Sequence, residues 1–278
     1  AIAGGTVRGG LVELHDFDRL TIVSDLHGDT RALSSVLDLM ESPKFLSSPR
    51  NKLVFLGDYV DRGSDSVGVL HRVCRLKRSH PDSVVLMRGN HEAPAEFPFS
   101  SHDLPYTMED SFGPDAKAMY GKVLSFFRLL SLATVVKGGL LLVHGGLPTD
   151  PGVAECYRDL VAAAQENHLR NRVMEELLWN DPRPIGREPG WEESRRGIGR
   201  HFGRAVTERW LAATGTKVVV RGHEPCHGYR IDHGGKVMTL FSSKEAYHGY
   251  GAACIIIDRA QLASIKSADD LTRYAIKL

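Results

Sequence analysis

The feature that most constrains the fold is a series of short apolar runs rich in β-branched residues. Seven such runs, each four or five residues long, are spread along the 278-residue chain. They are Leu20–Val23, Lys52–Leu56, Ser83–Met87, Leu140–Val143, Lys217–Val220, Val237–Phe241 and Ala253–Ile257. Their length and nearly continuous apolarity are typical of strands buried on both faces. We therefore predict β-sheets that lie between other layers of structure.

Helical periodicity recurs between these runs, and in the first helical segment apolar residues follow the i, i+3, i+4, i+7 pattern from Leu33 to Met40. Asp29 or Thr30 would cap this helix, and Pro43 would end it. Further helices are predicted over Ser66–Lys77, Ala116–Leu130, Gly152–Glu166, Asn171–Leu177 and Gly199–Thr214. Two long segments are predicted as loops of the kind that usually carry function, Ala93–Gly113 and Asn180–Gly197. Neither resembles an interdomain linker, so we expect residues 1–278 to form one domain.

Composition and charge narrow the class of function. Lys and Arg total 35 and Asp and Glu total 34, so the net charge of +1 indicates no polyanion partner. The sequence also has no stripe of basic residues of the kind that binds nucleic acid. No stretch approaches the roughly 20 apolar residues of a membrane span, and Ala1–Gly10 lacks the apolar core of a signal peptide. The four scattered cysteines favour reduced thiols over disulfides or a zinc ribbon. We therefore expect a cytoplasmic protein that binds neither membranes nor nucleic acid.

Five of the seven runs are followed by an Asp, His or Asn beside a glycine. Sites in α/β sheets form at the carboxyl ends of strands, so we expect these side chains to converge. The glycines would let the backbone turn sharply and leave room for ions or phosphate. In chain order, the candidate metal ligands are Asp25, His27, Asp58, Asn90, His144 and His223. Each motif alone has an ordinary structural explanation, but five together in one chain favour a metal site.

This mixture of carboxylate, imidazole and amide groups predicts a centre that hydrolyses phosphate esters. Such hydrolysis needs a hydroxide, neutralisation of charge on the phosphoryl oxygens, and a stabilised leaving group. Two metal ions about 3.5–4 Å apart supply the first two when one ligand bridges them. A carboxylate is the natural bridge, since its two oxygens face one ion each. The ligand set favours Mn, Fe or Zn over Mg or Ca.

The residues that carry these ligands resemble the signature motifs of the serine/threonine phosphoprotein phosphatases. The three signature segments are Asp25 to Gly28, Gly57 to Gly63 and Gly89 to Glu92, and the resemblance continues in the family's order around His144, Trp179, Arg196 and His223 to Ser242. The first three segments mark the broader metallophosphoesterase group, whereas the Trp179 and Arg196 segments are more specific to protein phosphatases. The resemblance implies the calcineurin-like fold, an α/β fold with a central β-sandwich of mixed sheets flanked by α-helices.

The resemblance also implies a role for each candidate residue. One metal would bind Asp25, His27 and Asp58, and the second would share Asp58 as bridge and add Asn90, His144 and His223. His91, oriented by Asp61, would be the general acid that protonates the leaving alkoxide. Arg62 and Arg196 would hold the phosphoryl oxygens as bidentate donors, together with Asn90. The implied reaction is hydrolysis of phosphoserine and phosphothreonine monoesters, in phosphoproteins or phosphopeptides, by direct attack of a hydroxide between the metals.

Three side-chain assignments stay open at this point. Arg195 competes with Arg196 for the phosphate. Tyr247 and Tyr250 are equal candidates for a tyrosine that lines the cleft. Asp181 either lines the cleft or forms a turn.

The segment after Glu92 departs from the family pattern. Ala93–Gly113 replaces an Arg/Tyr-rich helical stretch, which indicates a divergent member, closer to bacterial-type or archaeal branches, with altered substrate preference. Two other functions stay open. A bis-nucleoside polyphosphate hydrolase would usually have Asp in place of Glu92 and lack the Trp179 and Arg196 segments. A non-catalytic scaffold would have lost ligands or His91. The sequence indicates no particular regulatory subunit.

Overall fold

Two mixed β-sheets form the centre of the fold. The computed structural model describes residues 2–159 and 168–278, and within these ranges the strands form three sheets. The largest contains, in spatial order, β1 (Gly5–Arg8), β2 (Leu11–Leu14), β6 (Ala133–Val136), β7 (Leu140–Val143), β11 (Val218–Arg221), β13 (Val237–Leu240) and β12 (Tyr229–Asp232). The second contains β15 (Ala275–Lys277), β14 (Ala253–Asp258), β3 (Arg19–Val23), β4 (Lys52–Phe55) and β5 (Val84–Leu86). A small third sheet contains β8 (Asp181–Pro182), β10 (Arg200–Phe202) and β9 (Trp191–Glu193).

The strands that precede the candidate ligands run parallel to their neighbours. In the second sheet β3, β4 and β5 are parallel, while β14 runs antiparallel to β3. In the largest sheet β7, β11 and β13 are parallel, while β6 and β12 run antiparallel to adjacent strands. All seven predicted strands are confirmed, with bounds that agree within one residue at each end.

Helices cover the outer faces of both sheets. The second sheet packs against α1 (Thr30–Leu39), α2 (Ser42–Phe45), α3 (Ser66–Ser79), α4 (Leu104–Phe112) and α5 (Ala116–Phe127). The largest sheet packs against α6 (Pro151–Glu155), α7 (His168–Trp179) and α8 (Arg204–Thr214). Two short helices, α9 (Arg259–Ser264) and α10 (Ala268–Leu271), follow β14. Among the described residues, no helix combines the length and apolarity that crossing a bilayer requires.

Alternate residues of the central strands face different layers, because successive side chains of a strand point to opposite faces of its sheet. Leu140 and Leu142 of β7 lie between the two large sheets, where they join Ile22 of β3 in one apolar cluster. Leu141 of the same strand joins the cluster that contains Leu177 of α7. The strands are therefore buried on both faces, and the sheets form a sandwich with helices outside it.

Four of the helix and loop predictions were wrong in part. The predicted helix Gly199–Thr214 begins only where α8 begins, because residues 200–202 pair as β10. The predicted loop Ala93–Gly113 contains α4, and the predicted loop Asn180–Gly197 contains β8 and β9. The predicted helix Gly152–Glu166 breaks where α6 ends, a 3-10 turn follows at Tyr157–Asp159, and its positions 160–166 lie outside the described residues.

The start of α1 is settled by a side-chain hydrogen bond. The backbone N–H of Ala32 donates to Oδ1 of Asp29 at 2.7 Å, so Asp29 rather than Thr30 caps the helix. Pro43 lies in the first turn of α2, where a missing N–H removes no helical hydrogen bond. It therefore belongs to the second helix and lies four residues after Leu39, the last residue of α1.

Leu140→Ala should lower the free energy of unfolding by about 2–5 kcal/mol, because Leu140 is fully buried between the two large sheets. Urea denaturation followed by circular dichroism measures the change. Leu129→Ala is the matched control: Leu129 is 81% exposed, so its truncation should have little effect. Equal losses in the two variants would contradict the assignment of this core.

Candidate metal centre

Asp58 lies at the centre of a buried cluster of candidate ligands. Its Oδ2 is 3.5 Å from Nε2 of His27, and its Oδ1 is 3.4 Å from Nε2 of His144. Two groups of three side chains bring their donor atoms within 4.8 Å of one another: His27, Asp58 and His91 in one, and Asp58, His144 and His223 in the other. Asp58 is common to both groups, which is the geometry that a bridging ligand requires.

The other two predicted ligands, Asp25 and Asn90, adjoin the second group. Oδ1 of Asn90 is 3.0 Å from Nε2 of His144 and 2.7 Å from Nδ1 of His223. Asp25 is fully buried and lies outside both groups of three; its Oδ1 is 3.9 Å from Nδ1 of His144. The backbone N–H of His223 donates to both oxygens of Asp25. The structure thus brings all six predicted ligands into one buried cluster, and their roles as ligands stay predictions.

Burial and neighbouring charges set the protonation states in this cluster. Burial raises the pKa of Asp25 to about 7, even though His144 opposes the shift. Burial also disfavours the ionised form of Asp58, but His144 holds the pKa of this carboxyl well below its ordinary value. Burial lowers the pKa of His27 to about 3 and lowers the pKa of His223 well below its ordinary value. His27 and His223 as neutral imidazoles and Asp58 as an ionised carboxylate are therefore in the forms that bind a cation.

The Glu92 carboxylate holds the loops after β4 and β5 together. Its Oε2 accepts hydrogen bonds from the N–H groups of Asp58 (2.8 Å) and Gly89 (2.9 Å), and its Oε1 accepts one from Tyr59 (2.9 Å). Gly57 lies at φ +113°, and a Cβ there would overlap the Gly89 backbone, so only glycine permits this approach. Burial raises the pKa of Glu92 to about 8, although backbone N–H groups favour its ionised form. The sequence marks Glu92 only as part of a family motif and does not predict this contact.

Asp61 orients two histidines at the edge of the cluster. Nδ1 of His91 lies 2.6 Å from Oδ2 of Asp61, and Nδ1 of His102 lies 2.9 Å from the same oxygen. Two backbone N–H groups at the start of α4 donate to Oδ1 of Asp61, and Nε2 of His102 reaches the Tyr120 hydroxyl at 2.8 Å. Burial opposes ionisation of Asp61, but the hydrogen bonds from His102 and His91 lower its pKa below the ordinary value. His102 is not among the predicted site residues, because it lies in a segment without a motif.

Aromatic rings form one wall beside the cluster. The centroid of the Phe99 ring is 4.5 Å from that of His91 and 5.9 Å from that of Trp179. Trp179 in turn lies 5.5 Å from the ring of His223. Phe99 belongs to the segment Ala93–Gly113, so the part of the chain that departs from the family pattern packs directly against the proposed acid.

Arg62 lies next to His27 at the border of the cluster. Its Nη1 is 3.4 Å from Nε2 of His27, and its guanidinium carbon is 5.0 Å from the centroid of the Tyr247 ring. Tyr247 also lies 6.1 Å from His27, whereas Tyr250 is 39% exposed and packs against Tyr247. Of the two candidate tyrosines, Tyr247 is therefore the one that borders the cluster.

Asp181 connects Arg196 with the cluster. It is fully buried, its Oδ1 lies 4.0 Å from Nε2 of His223, and it accepts a hydrogen bond from the buried Arg221 at 2.8 Å. Arg196 donates its Nε–H to Oδ2 of Asp181 at 3.2 Å. Both Arg195 and Arg196 line a neighbouring pocket, but only Arg196 also contacts Asp181. Asp181 thus lies in β8 at the border of the cluster, and Arg196 is the nearer of the two arginines to it.

Comparison with known protein families identifies the family of this chain. Residues 18–227, which contain all six candidate ligands, match the calcineurin-like phosphoesterases. The chain belongs to the calcineurin-like phosphoesterase family. The mixed α/β sandwich predicted from the sequence is confirmed by this match and by the solved structure described next.

Several relatives of this phosphoesterase are named serine/threonine phosphatases. The serine/threonine-protein phosphatase T of Schizosaccharomyces pombe is 34% identical over 229 residues, which are 81% of this chain and 46% of that protein. A probable serine/threonine-protein phosphatase of Encephalitozoon cuniculi is 31% identical over 272 residues, 95% of this chain and 56% of that protein. The structure of a protein serine/threonine phosphatase from Saccharomyces cerevisiae aligns with a TM-score of 0.69 at 25% identity, covering 94% of this chain and 79% of that chain. This chain spans about half the length of the curated relatives it matches.

Calcineurin-like metallophosphoesterases use divalent metal ions, and the residues of this member fit such ions. Nε2 of His223 is buried and has no hydrogen-bond partner among residues 2–159 and 168–278. A buried polar atom without a partner is costly, so it indicates a ligand at that position. His223 also belongs, with Asp58 and His144, to a group whose donor atoms lie within 4.8 Å of one another. The centre is therefore a candidate site for divalent cations.

Glu92→Ala in this phosphoesterase should lower the free energy of unfolding by roughly 3 kcal/mol or more, because three buried N–H groups would lose their acceptor. Urea denaturation of the metal-free protein measures the change independently of metal binding. Glu109→Ala on the exposed side of α4 is the matched control. If both variants unfold at the same urea concentration, the Glu92 carboxylate does not hold these loops.

Proposed function

We propose that this chain is a metal-dependent phosphoprotein phosphatase that hydrolyses phosphoserine and phosphothreonine monoesters. The observation that carries the proposal is the position of Asp58 in two ligand groups at once, next to the hydrogen-bonded pair of His91 and Asp61. The names of the curated relatives, which are serine/threonine phosphatases, support the same substrate class. Phosphoproteins or phosphopeptides are therefore the proposed substrates.

Two divalent ions of the Mn, Fe or Zn type are the proposed cofactors. One would be held by Asp25, His27 and Asp58, and the other by Asp58, Asn90, His144 and His223. When bound, such ions supply charge neutralisation for a phosphoryl group and lower the pKa of water. Imidazole, carboxylate and amide ligands together suit these borderline metals.

His91 is the proposed general acid. Its Nδ1 is engaged by Asp61, while its buried Nε2 has no partner among the described residues and is free to serve a substrate. The ionised Asp61 would stabilise the protonated imidazole and fix its orientation, so that Nε2 gives its proton to the departing serine or threonine oxygen. Arg62 is exposed beside His27 and would donate to two phosphoryl oxygens through its planar guanidinium. Arg196 would contribute from the side of Asp181.

The two alternative functions have less support. The relatives reported above are named protein phosphatases, not polyphosphate hydrolases. A scaffold without activity would not need the six ligands and His91 to be gathered in one buried cluster. We also propose that residues 1–278 form one catalytic domain, since both large sheets contribute to one apolar cluster, and that the protein is cytoplasmic.

Asp58→Asn should reduce bound metal at both sites, because an uncharged amide cannot bridge two cations as a carboxylate does. Elemental analysis of metal per protein, after reconstitution with Mn, measures the effect. Asp110→Asn, at an exposed position of α4, is the matched control and should bind metal like the wild type. Wild-type stoichiometry in Asp58→Asn would rule out the bridging role.

His91→Ala should lower turnover of phosphoserine peptides by roughly 10²–10⁴-fold. The loss should be much smaller with p-nitrophenyl phosphate, whose leaving group needs little protonation. Steady-state kinetics on both substrates, with metal content measured in parallel, separates the possible roles. A variant that loses metal, or that loses both activities equally, would show that His91 is a ligand or a structural residue rather than the acid. His71→Ala, exposed on α3, serves as control.

A further inference from the structure

A pocket rich in arginine opens beside the candidate metal centre. Its volume is about 700 Å³, and the segments 183–187 and 192–201 supply its walls. The charged and titratable residues that line it are Arg183, Arg187, Glu192, Arg195, Arg196 and His201, and we call this the arginine pocket. Four guanidinium groups and one carboxylate line this pocket in a chain whose net charge is only +1, although Arg183 and Arg196 are paired with carboxylates that do not line it.

We infer that the arginine pocket binds a second anionic group of the phosphorylated substrate, a carboxylate or a further phosphate close in sequence to the phosphoresidue under attack. This inference rests on the proposed phosphatase function and deepens it, because it names the substrate class: phosphopeptides that are acidic around the phosphorylated residue. Guanidinium groups suit this task, since each offers paired donors to a carboxylate or phosphate.

A single residue, Asp181, lies between the arginine pocket and the candidate metal centre. Arg196 lines the pocket and donates to one oxygen of Asp181 at 3.2 Å. The other oxygen of Asp181 lies 4.0 Å from Nε2 of His223. An extended peptide advances about 3.3 Å per residue, so a residue one to three positions from the phosphoresidue is at a suitable distance to enter the pocket while the phosphate occupies the centre.

Two of the four arginines are available to a ligand. Arg183 is held by Glu224 at 2.7 Å and therefore belongs to the framework. Arg187 contacts Glu192 at 3.3 Å, but its side chain is 80% exposed, and exposed pairs of this kind contribute little. Arg195 is exposed and makes no ion pair with any residue in the ranges 2–159 and 168–278. An incoming anion would pair with Arg195, and with Arg187 in competition with Glu192.

The double variant Arg187→Gln/Arg195→Gln tests the inference while leaving the Asp181 contacts in place. The wild type and the double variant are both assayed on three kinds of substrate. These are phosphoserine peptides with three glutamates before or after the phosphoserine, the same peptides with each glutamate replaced by glutamine, and a doubly phosphorylated peptide. For the wild type, kcat/KM should favour an acidic or doubly phosphorylated peptide over the glutamine peptide by roughly five- to tenfold, mainly through KM. The preference should fall to near unity in the double variant and should weaken at high salt.

Arg75→Gln/Arg78→Gln is the matched control, since it removes two exposed arginines from α3 and should keep the preference. The inference is overturned if the wild type shows no preference, if the preference persists in the pocket variant, or if that variant loses activity equally on glutamate and glutamine peptides. A preference for the second phosphate alone would identify phosphate rather than carboxylate as the bound group.

A binding measurement separates failure of this inference from failure of the proposed function. Fluorescence anisotropy of a fluorescein-labelled hexaglutamate peptide needs no turnover and reports on the pocket directly. Weaker binding to the Arg187→Gln/Arg195→Gln variant than to the α3 control would support the pocket even if no phosphopeptide is hydrolysed. Equal binding to the two variants would overturn the pocket even if phosphoserine peptides with glutamines are hydrolysed well.

Discussion

The hydrogen bonds that converge on the buried Glu92 carboxylate set the geometry on which the rest of the centre depends. Several site residues adopt left-handed backbone conformations, with φ of 46° at His27, 54° at Asp58 and 70° at His223. Each such conformation costs a non-glycine residue about 1–2 kcal/mol, so tertiary contacts must hold it. Glu92 accepts the N–H of Asp58, and Asp25 accepts the N–H of His223. Carboxylates that bind backbone therefore fix the residues proposed to bind metal.

The strands buried on both faces were predictable from the sequence, whereas edge and surface elements were not. A run such as Leu140–Val143 is apolar at every position, because both of its faces are covered. Tyr229–Asp232 forms a strand too, but it lies at a sheet edge and is half-buried throughout, so its residues show no such pattern. Helix α4 was missed for a related reason: only Leu104 and Met108 of its nine residues are buried. These elements depend on partners distant in sequence, which local patterns do not encode.

The types of side chain at the centre were predictable because they follow predictable strands, but the contacts that orient them were not. His102 reaches Asp61 across 41 residues of sequence. That contact, and the packing of Phe99 against His91, exist only because the segment after Glu92 folds back over the strand ends. A family resemblance assigns a role to His91 from its motif. The residues that surround it in this particular chain emerge only from the three-dimensional fold.

Asp181 shows how a carboxylate can lie beside a metal centre without joining it. Its Oδ1 is 4.0 Å from Nε2 of His223, at the border of the candidate metal centre. Arg221 is fully buried and donates to Oδ1, while Arg196 donates to Oδ2, so both oxygens are occupied and the charge is compensated. The buried Arg221 in turn needs that compensation, since an unpaired buried cation is strongly destabilising. Because Arg196 is held at Asp181, the ion pair that occupies this carboxylate at the border of the candidate metal centre also fixes where the arginine pocket begins.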